Sequence, residues 1–211
     1  MPITMFDFDG PLAMCVESEF FTWVNQHPSV KKPWDYQSLV ETGDWAVATS
    51  MMHGESTNLF QEFMQSSAYP GFIPTPGAIS ALQDIPPANR FLATARGHLL
   101  YDVTRAFLDR HFGPFRCYHF AIHDAKVALV QRDKPDFVID DCYPLSLRFA
   151  RATSAIPILF PKPTRRKISS HDGLVILDAE AMVYPDMPAQ DFRQVCTHAW
   201  REIADRLVRA S

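Results

Sequence analysis

Short β-like runs alternate with helical patterns through most of this chain, and the alternation constrains its fold more than any single motif does. Strand candidates run from Ile3 to Phe8, Arg90 to Thr94, Arg116 to Phe120, Asp136 to Asp140, Ile156 to Phe160 and Leu174 to Leu177. Helix candidates fall between them at Pro76 to Asp84, His98 to His111, Asp124 to Gln131 and Pro144 to Thr153. A strand followed by a helix returns to its sheet in parallel, so the expected fold is α/β: a Rossmann-like parallel sheet covered by helices on both faces. A final segment, Ala189 to Ala210, sets Phe192, Val195, Ala199, Ile203 and Leu207 at helical spacing. That stripe predicts an amphipathic helix packed on the domain.

Residues 14 to 72 break the alternation and hold no convincing strand. "VESEFFTWVNQH", "DYQSLVETG" and "STNLFQEFMQ" read as helices separated by Pro28, Pro33, Gly43 and Gly54. We expect a small α-helical cap at 14–72, inserted after the first strand of a core formed by 1–13 and 73–211. The return segment, "YPGFIPTPGAISAL", carries the prolines and glycines of a turn and a fresh helix start. A length of 211 residues, about 1.4 typical domain lengths, suits one core with an insertion.

Composition narrows the function classes. Hydrophobic residues make up 47% and charged residues 21%, with no apolar run near the roughly 18 residues of a membrane span, so a soluble chain is expected and a membrane partner is not. The opening "MPITMFDFDG" lacks a basic leader, which makes a cytoplasmic location the default expectation. A net charge of −4 gives no footprint for a nucleic acid polymer. Lys162, Arg165, Arg166 and Lys167 form one short basic cluster among prolines, read as a solvated loop with substrate contact as the alternative. Cys15, Cys117, Cys142 and Cys196 are scattered without a CxxC pair, which argues for buried thiols and against zinc or a disulfide framework. His119 and His123, four apart across a strand-to-loop join, would not share a helix face and read as structural. A homodimer is compatible with the sequence.

Ligands of an open parallel sheet bind beyond the carboxyl ends of its strands. The first strand candidate stops at Asp7, Phe8, Asp9 and Gly10. The second stops at Thr94, Ala95 and Arg96, and the fourth at Asp140 and Asp141; Lys126 opens the helix before that fourth strand. Acid pairs on neighbouring strand ends repel unless positive charge lies between them. Lys126 supplies one charge, and a divalent cation, magnesium by the hardness of the oxygen ligands, supplies the other. Lys134 is the alternative lysine, although "RDKPD" reads as a turn. Arg96 and His98 either touch a bound phosphate or cap the following helix.

These residues together give a resemblance. "DFDGPL", "FLATAR" and "AKVALVQRDKPDFVIDD", the last carrying both a lysine motif and a strand ending in an acidic pair, resemble in order the four motifs of the haloacid dehalogenase superfamily of phosphotransferases. Thr94 precedes Lys126 by 32 positions and Lys126 precedes Asp140 by 14, which fits the same pattern. The resemblance implies that Asp7 is a nucleophile forming an aspartyl-phosphate and that Asp9 is the acid and base for the leaving oxygen and the water. It further implies phosphoryl contacts from Thr94, Ala95, Arg96 and Lys126. Magnesium would be held by the Asp7 carboxylate, the Asp9 carbonyl and Asp141, with Asp140 acting through water. The cap's position, "FVIDD" and "PILFPKPTRR" most resemble the 5′(3′)-deoxyribonucleotidase branch, so a nucleoside monophosphate is the leading small-molecule substrate. A sugar-phosphate phosphatase or phosphomutase is the second reading. A receiver-like phosphoacceptor module is the third, disfavoured by the cap and by Asp9.

One departure stands out: Pro11 replaces the usual Thr or Val after the glycine. Proline fixes φ and lacks an N–H, so a stiffer loop with one amide contact fewer is expected. The cap holds Phe20, Phe21, Trp23, Trp34, Tyr36, Trp45, Phe60 and Phe63, most of which are expected to pack its helices while one or two could stack on a nucleobase.

Overall fold

The computed structural model describes residues 1–14, 17–38, 48, 53–69, 71–120, 123–162, 173–177 and 189–210. Its strands are β1 (Thr4–Phe6), β2 (Arg90–Thr94), β3 (Cys117–Phe120), β4 (Phe137–Asp140), β5 (Ile156–Leu159) and β6 (Val175–Ile176). They form one parallel sheet in the order β3-β2-β1-β4-β5-β6. The helices are α1 (Glu17–Val24), α2 (His53–Gln65), α3 (Ala78–Gln83), α4 (Tyr101–His111), α5 (His123–Asp133), α6 (Tyr143–Ala152) and α7 (Ala189–Arg209). Every strand candidate is present, some shortened at their ends. Among the described residues no helix is long and apolar enough to cross a membrane.

Alternation along the strands builds two apolar layers, because neighbouring side chains leave a strand on opposite faces. Phe6, Leu92, Phe137 and Ile139 face one layer with Leu82, Phe107, Leu108, Trp200, Ile203 and Leu207. Met5, Phe91, Ala93 and Val138 face the other with Val127, Val130, Leu145 and Phe149. The sheet is therefore covered on one side by α3, α4 and α7 and on the other by α5 and α6. The expected stripe on α7 is shifted: Cys196, Ala199, Trp200, Ile203 and Leu207 are buried, while Phe192 and Val195 are only half-buried. Arg90, at the start of β2, is a structural cation. Its guanidinium donates to the Leu82 and Ile85 carbonyls at 2.6 Å and to the Phe112 carbonyl, closing the carboxyl ends of α3 and α4.

The insert after β1 has a small core of its own, with Phe20, Phe21, Val24, Trp34, Leu59 and Phe63 buried together. The chain leaves and re-enters the sheet domain side by side: the Met14 amide donates to the Ile73 carbonyl at 2.9 Å, and Thr75 to Leu12 at 3.0 Å. Cys117 and Cys142 are half-buried free thiols and Cys196 is a buried one; Cys15 lies outside the described residues. Burial pushes the Cys142 thiol up to about 11 and that of Cys196 up to about 12, so neither forms a thiolate at neutral pH.

Candidate active site

Strand order reverses at β1: β2 and β3 lie on one side of it, β4 to β6 on the other. This is the switch point at which a crevice opens beyond the strand ends. Asp7 directly follows β1, and its amide still donates to the Ile139 carbonyl of β4 at 2.8 Å, so the sheet ladder fixes its backbone. Asp140 ends β4, and Thr94 ends β2 with its side chain fully buried.

Lys126 enters this crevice from the first turn of α5 and is 1% exposed. Its ammonium lies 2.9 Å from Asp7 Oδ1 and 3.0 Å from Asp140 Oδ2. Burial works against the charged lysine, but Asp140 and Asp7 outweigh it, so Lys126 stays protonated well past its ordinary range. Asp7 feels the opposite balance. Burial raises it, Lys126 pulls it back, and Asp140, Asp141 and Asp9 push it up again, leaving it well above the usual carboxylate value. Lys134 sits at the other end of β4 with a φ of +46° and takes no part.

The Asp7 Oδ1 atom also accepts from the Phe8 amide at 2.8 Å, whereas Oδ2 makes neither of these bonds and is the oxygen left for chemistry. Both Asp140 oxygens are engaged, Oδ2 by Lys126 and Oδ1 by the Cys142 amide at 2.8 Å. Asp141 lies 3.4 Å from Lys162 Nζ, so one member of the basic cluster reaches the site; Arg165, Arg166 and Lys167 lie outside the described residues. Carboxylate oxygens of Asp7, Asp140 and Asp141 approach within 4.8 Å of one another. This hard, all-oxygen set fits a magnesium ion, which favours one or two carboxylates with water and phosphate completing its shell.

The loop after β1 is built for close approach. Gly10 has a φ of +88°, and a Cβ there would stand 3.0 Å from the Asp141 carboxyl carbon. Only glycine combines that backbone with that contact. The Ala13 and Leu12 amides return to the Phe8 carbonyl at 2.9 and 3.1 Å. The Pro11 carbonyl accepts the Trp200 indole N–H at 3.0 Å, so α7 pins the loop from a position 189 residues away. Proline at position 11 therefore belongs to a loop held by its carbonyl, a partner the local sequence does not signal.

Arg96 is the main surprise. Both Asp9 oxygens are held by it, Oδ2 by Nε at 2.8 Å and Oδ1 by Nη2 at 2.6 Å. Its amide bonds Thr94 Oγ1 at 3.3 Å, and Ala95 between them is exposed. In this structure Arg96 is the partner of the Asp9 carboxylate, a third arrangement beyond phosphate contact or helix capping. His98 is exposed and opens the short turn before α4, and His119 pairs with Asp133 at 3.1 Å.

No family model and no curated protein matches the chain. Solved structures do. CbbY from Rhodobacter sphaeroides in complex with phosphate is 19% identical, with a TM-score of 0.55 over 84% of this chain and 94% of that one. A mutant of the same protein in complex with xylulose-(1,5)bisphosphate gives 18% and 0.54 over the same shares. A haloacid dehalogenase-like family hydrolase from Xanthomonas campestris is 12% identical, with a TM-score of 0.46 over 95% of this chain and 98% of that one. The six-stranded parallel sheet with its covering helices is the expected Rossmann-like α/β fold, and it is shared with the two CbbY structures.

Proposed function

We propose that this chain is a magnesium-dependent phosphomonoesterase that works through an aspartyl-phosphate on Asp7. The observation carrying this reading is Lys126, buried between Asp7 and Asp140 at the switch point and bonded to Asp7 through Oδ1, with no bond to Oδ2 among the described residues. A carboxylate in that setting attacks phosphorus, and Lys126 and Thr94 neutralise and orient the phosphoryl oxygens. Asp9 takes up a proton from solvent as it releases Arg96, gives that proton to the ester oxygen as it leaves, and as a carboxylate takes one back from the water that attacks the aspartyl-phosphate. Asp9 thus exchanges a bond to Arg96 for one to the ester oxygen in the first step and to the attacking water in the second. Asp7 and Asp141 would hold the metal together with the Asp9 carbonyl, and Asp140 would support it while holding Lys126. When bound, the ion neutralises the crowded carboxylates and the phosphate charge.

The sequence resemblance supports a nucleoside monophosphate as substrate. Sugar phosphates are the second reading, favoured by the fate of the cap aromatics: Phe20, Phe21, Trp34 and Phe63 are buried in the cap's own core, and Trp23, Tyr36 and Phe60 pack against it. Trp45 lies outside the described residues. The test is phosphate release from a panel of nucleoside monophosphates and sugar phosphates, with magnesium or with chelator. Release only with magnesium, and none by Asp7→Asn, is expected; full activity of Asp7→Asn overturns the mechanism. The more active half of the panel decides the substrate.

A further inference from the structure

Arg96 is placed unlike a cation reserved for phosphate. Its side chain is 3% exposed, and its guanidinium sits in the corner formed by two edge-to-face phenyl rings, 4.2 Å from the Phe8 centroid and 4.1 Å from that of Phe72. Nε and Nη2 are tied to Asp9, while Nη1 is buried with no hydrogen-bond partner among the described residues. Tyr69, at the cap end of the return segment, packs on the same Phe72 ring at 5.1 Å. Its hydroxyl is also buried and unpartnered. A tyrosine hydroxyl carries its proton at neutral pH and can donate it; burial, the largest influence, moves this phenol further up, with Arg96 opposing and Asp9 adding to the rise.

Two buried donors without acceptors cost roughly 1–3 kcal/mol each, and native structures retain few of them without a reason. A bound ligand atom is such a reason. Asp9 already cancels the guanidinium charge, and a second anion beside that carboxylate would be repelled. The vacant donors therefore suit a neutral oxygen. Since Asp9 serves the ester oxygen, an acceptor reaching its partner Arg96 lies a short way beyond that oxygen on the leaving group.

We propose that Arg96 Nη1 and the Tyr69 hydroxyl form a specificity subsite for a hydroxyl or carbonyl oxygen one or two carbons from the ester oxygen, selecting polyol and sugar phosphates over plain alkyl phosphates. The subsite rests on the phosphomonoesterase reading above. Arg96 is thereby a residue of leaving-group recognition as well as the holder of Asp9.

The experiment is calorimetric binding of glycerol 1-phosphate and propyl phosphate to the full-length Asp7→Asn variant with magnesium. Glycerol 1-phosphate is expected to bind about tenfold tighter, the discrimination of one or two hydrogen bonds to a neutral oxygen. Adding Tyr69→Phe, which keeps the ring on Phe72, should bring the two ligands within about twofold of each other, and Arg96→Lys should do the same. Propyl phosphate is the reference in each variant, since damage to the fold or to phosphate binding weakens both ligands together. Equal binding of the two phosphates by the parent, binding of neither, or a preference that survives both substitutions overturns the subsite. Failure of the wild-type chain to release phosphate from any ester overturns the phosphomonoesterase reading instead.

Discussion

Replacing Lys126 with methionine removes the one described cation that contacts both Asp7 and Asp140, and its cost follows from the geometry. Each carboxylate oxygen stands 2.9 to 3.0 Å from the ammonium. At an effective dielectric near 20, each such contact is worth about 5–6 kcal/mol before desolvation. Much of that is offset by the cost of burying three charges, so the attraction overstates what the lysine adds. Its loss is a different quantity: two buried carboxylates are left facing each other, and breaking a buried pair in this way costs about 3–5 kcal/mol. That is a large part of the stability of an ordinary domain. Asp7 can relieve the strain by taking up a proton, which also ends its use as a nucleophile. Denaturant unfolding of Lys126→Met in chelator should show the full loss at neutral pH and a smaller one in mild acid. Magnesium should shift the variant more than the wild type, because the cation replaces part of the missing charge. A variant within about 0.5 kcal/mol of wild type at neutral pH, or an equal loss at both pH values, would refute the electrostatic reasoning.

Three further outcomes are expected. The folded-state pKa of Asp7 is raised above its ordinary value of 3.8, so its contribution to stability is complete below that value and is lost as pH rises through the raised one; unfolding in chelator across this window should show the decline, and magnesium should flatten it. Gly10→Ala puts a Cβ at a φ of +88° and 3.0 Å from the Asp141 carboxyl carbon; about 1–2 kcal/mol of stability and most magnesium affinity should go, read by thermal unfolding and metal titration. Trp200→Phe keeps a ring but leaves the buried Pro11 carbonyl unpaired, costing about 1–3 kcal/mol and lowering kcat more than it raises KM, as steady-state kinetics would show.

The strand ends were legible because polarity at the end of an apolar run is a local signal. Asp7, Thr94 and Asp140 stand where a parallel sheet opens its crevice, and Lys126 is one helix earlier, in the first turn of α5. Arg96 was visible as a residue of interest but not as the partner of Asp9, which lies 87 positions away. Tyr69 carried no signal, being one aromatic among many in a segment full of them.

The sequence by itself determined the α/β order of elements and the line of acids, lysine and threonine along one sheet edge. Periodicity and strand-end polarity depend on near neighbours, and near neighbours are what a sequence displays. Tertiary structure alone decided that Arg96 grips Asp9 against two phenyl rings and that Trp200 holds the Pro11 carbonyl from 189 residues away. Those pairings depend on how helices dock against the sheet and on where the cap's return segment lies. Both are set by packing across the whole chain, and no local pattern encodes the partner.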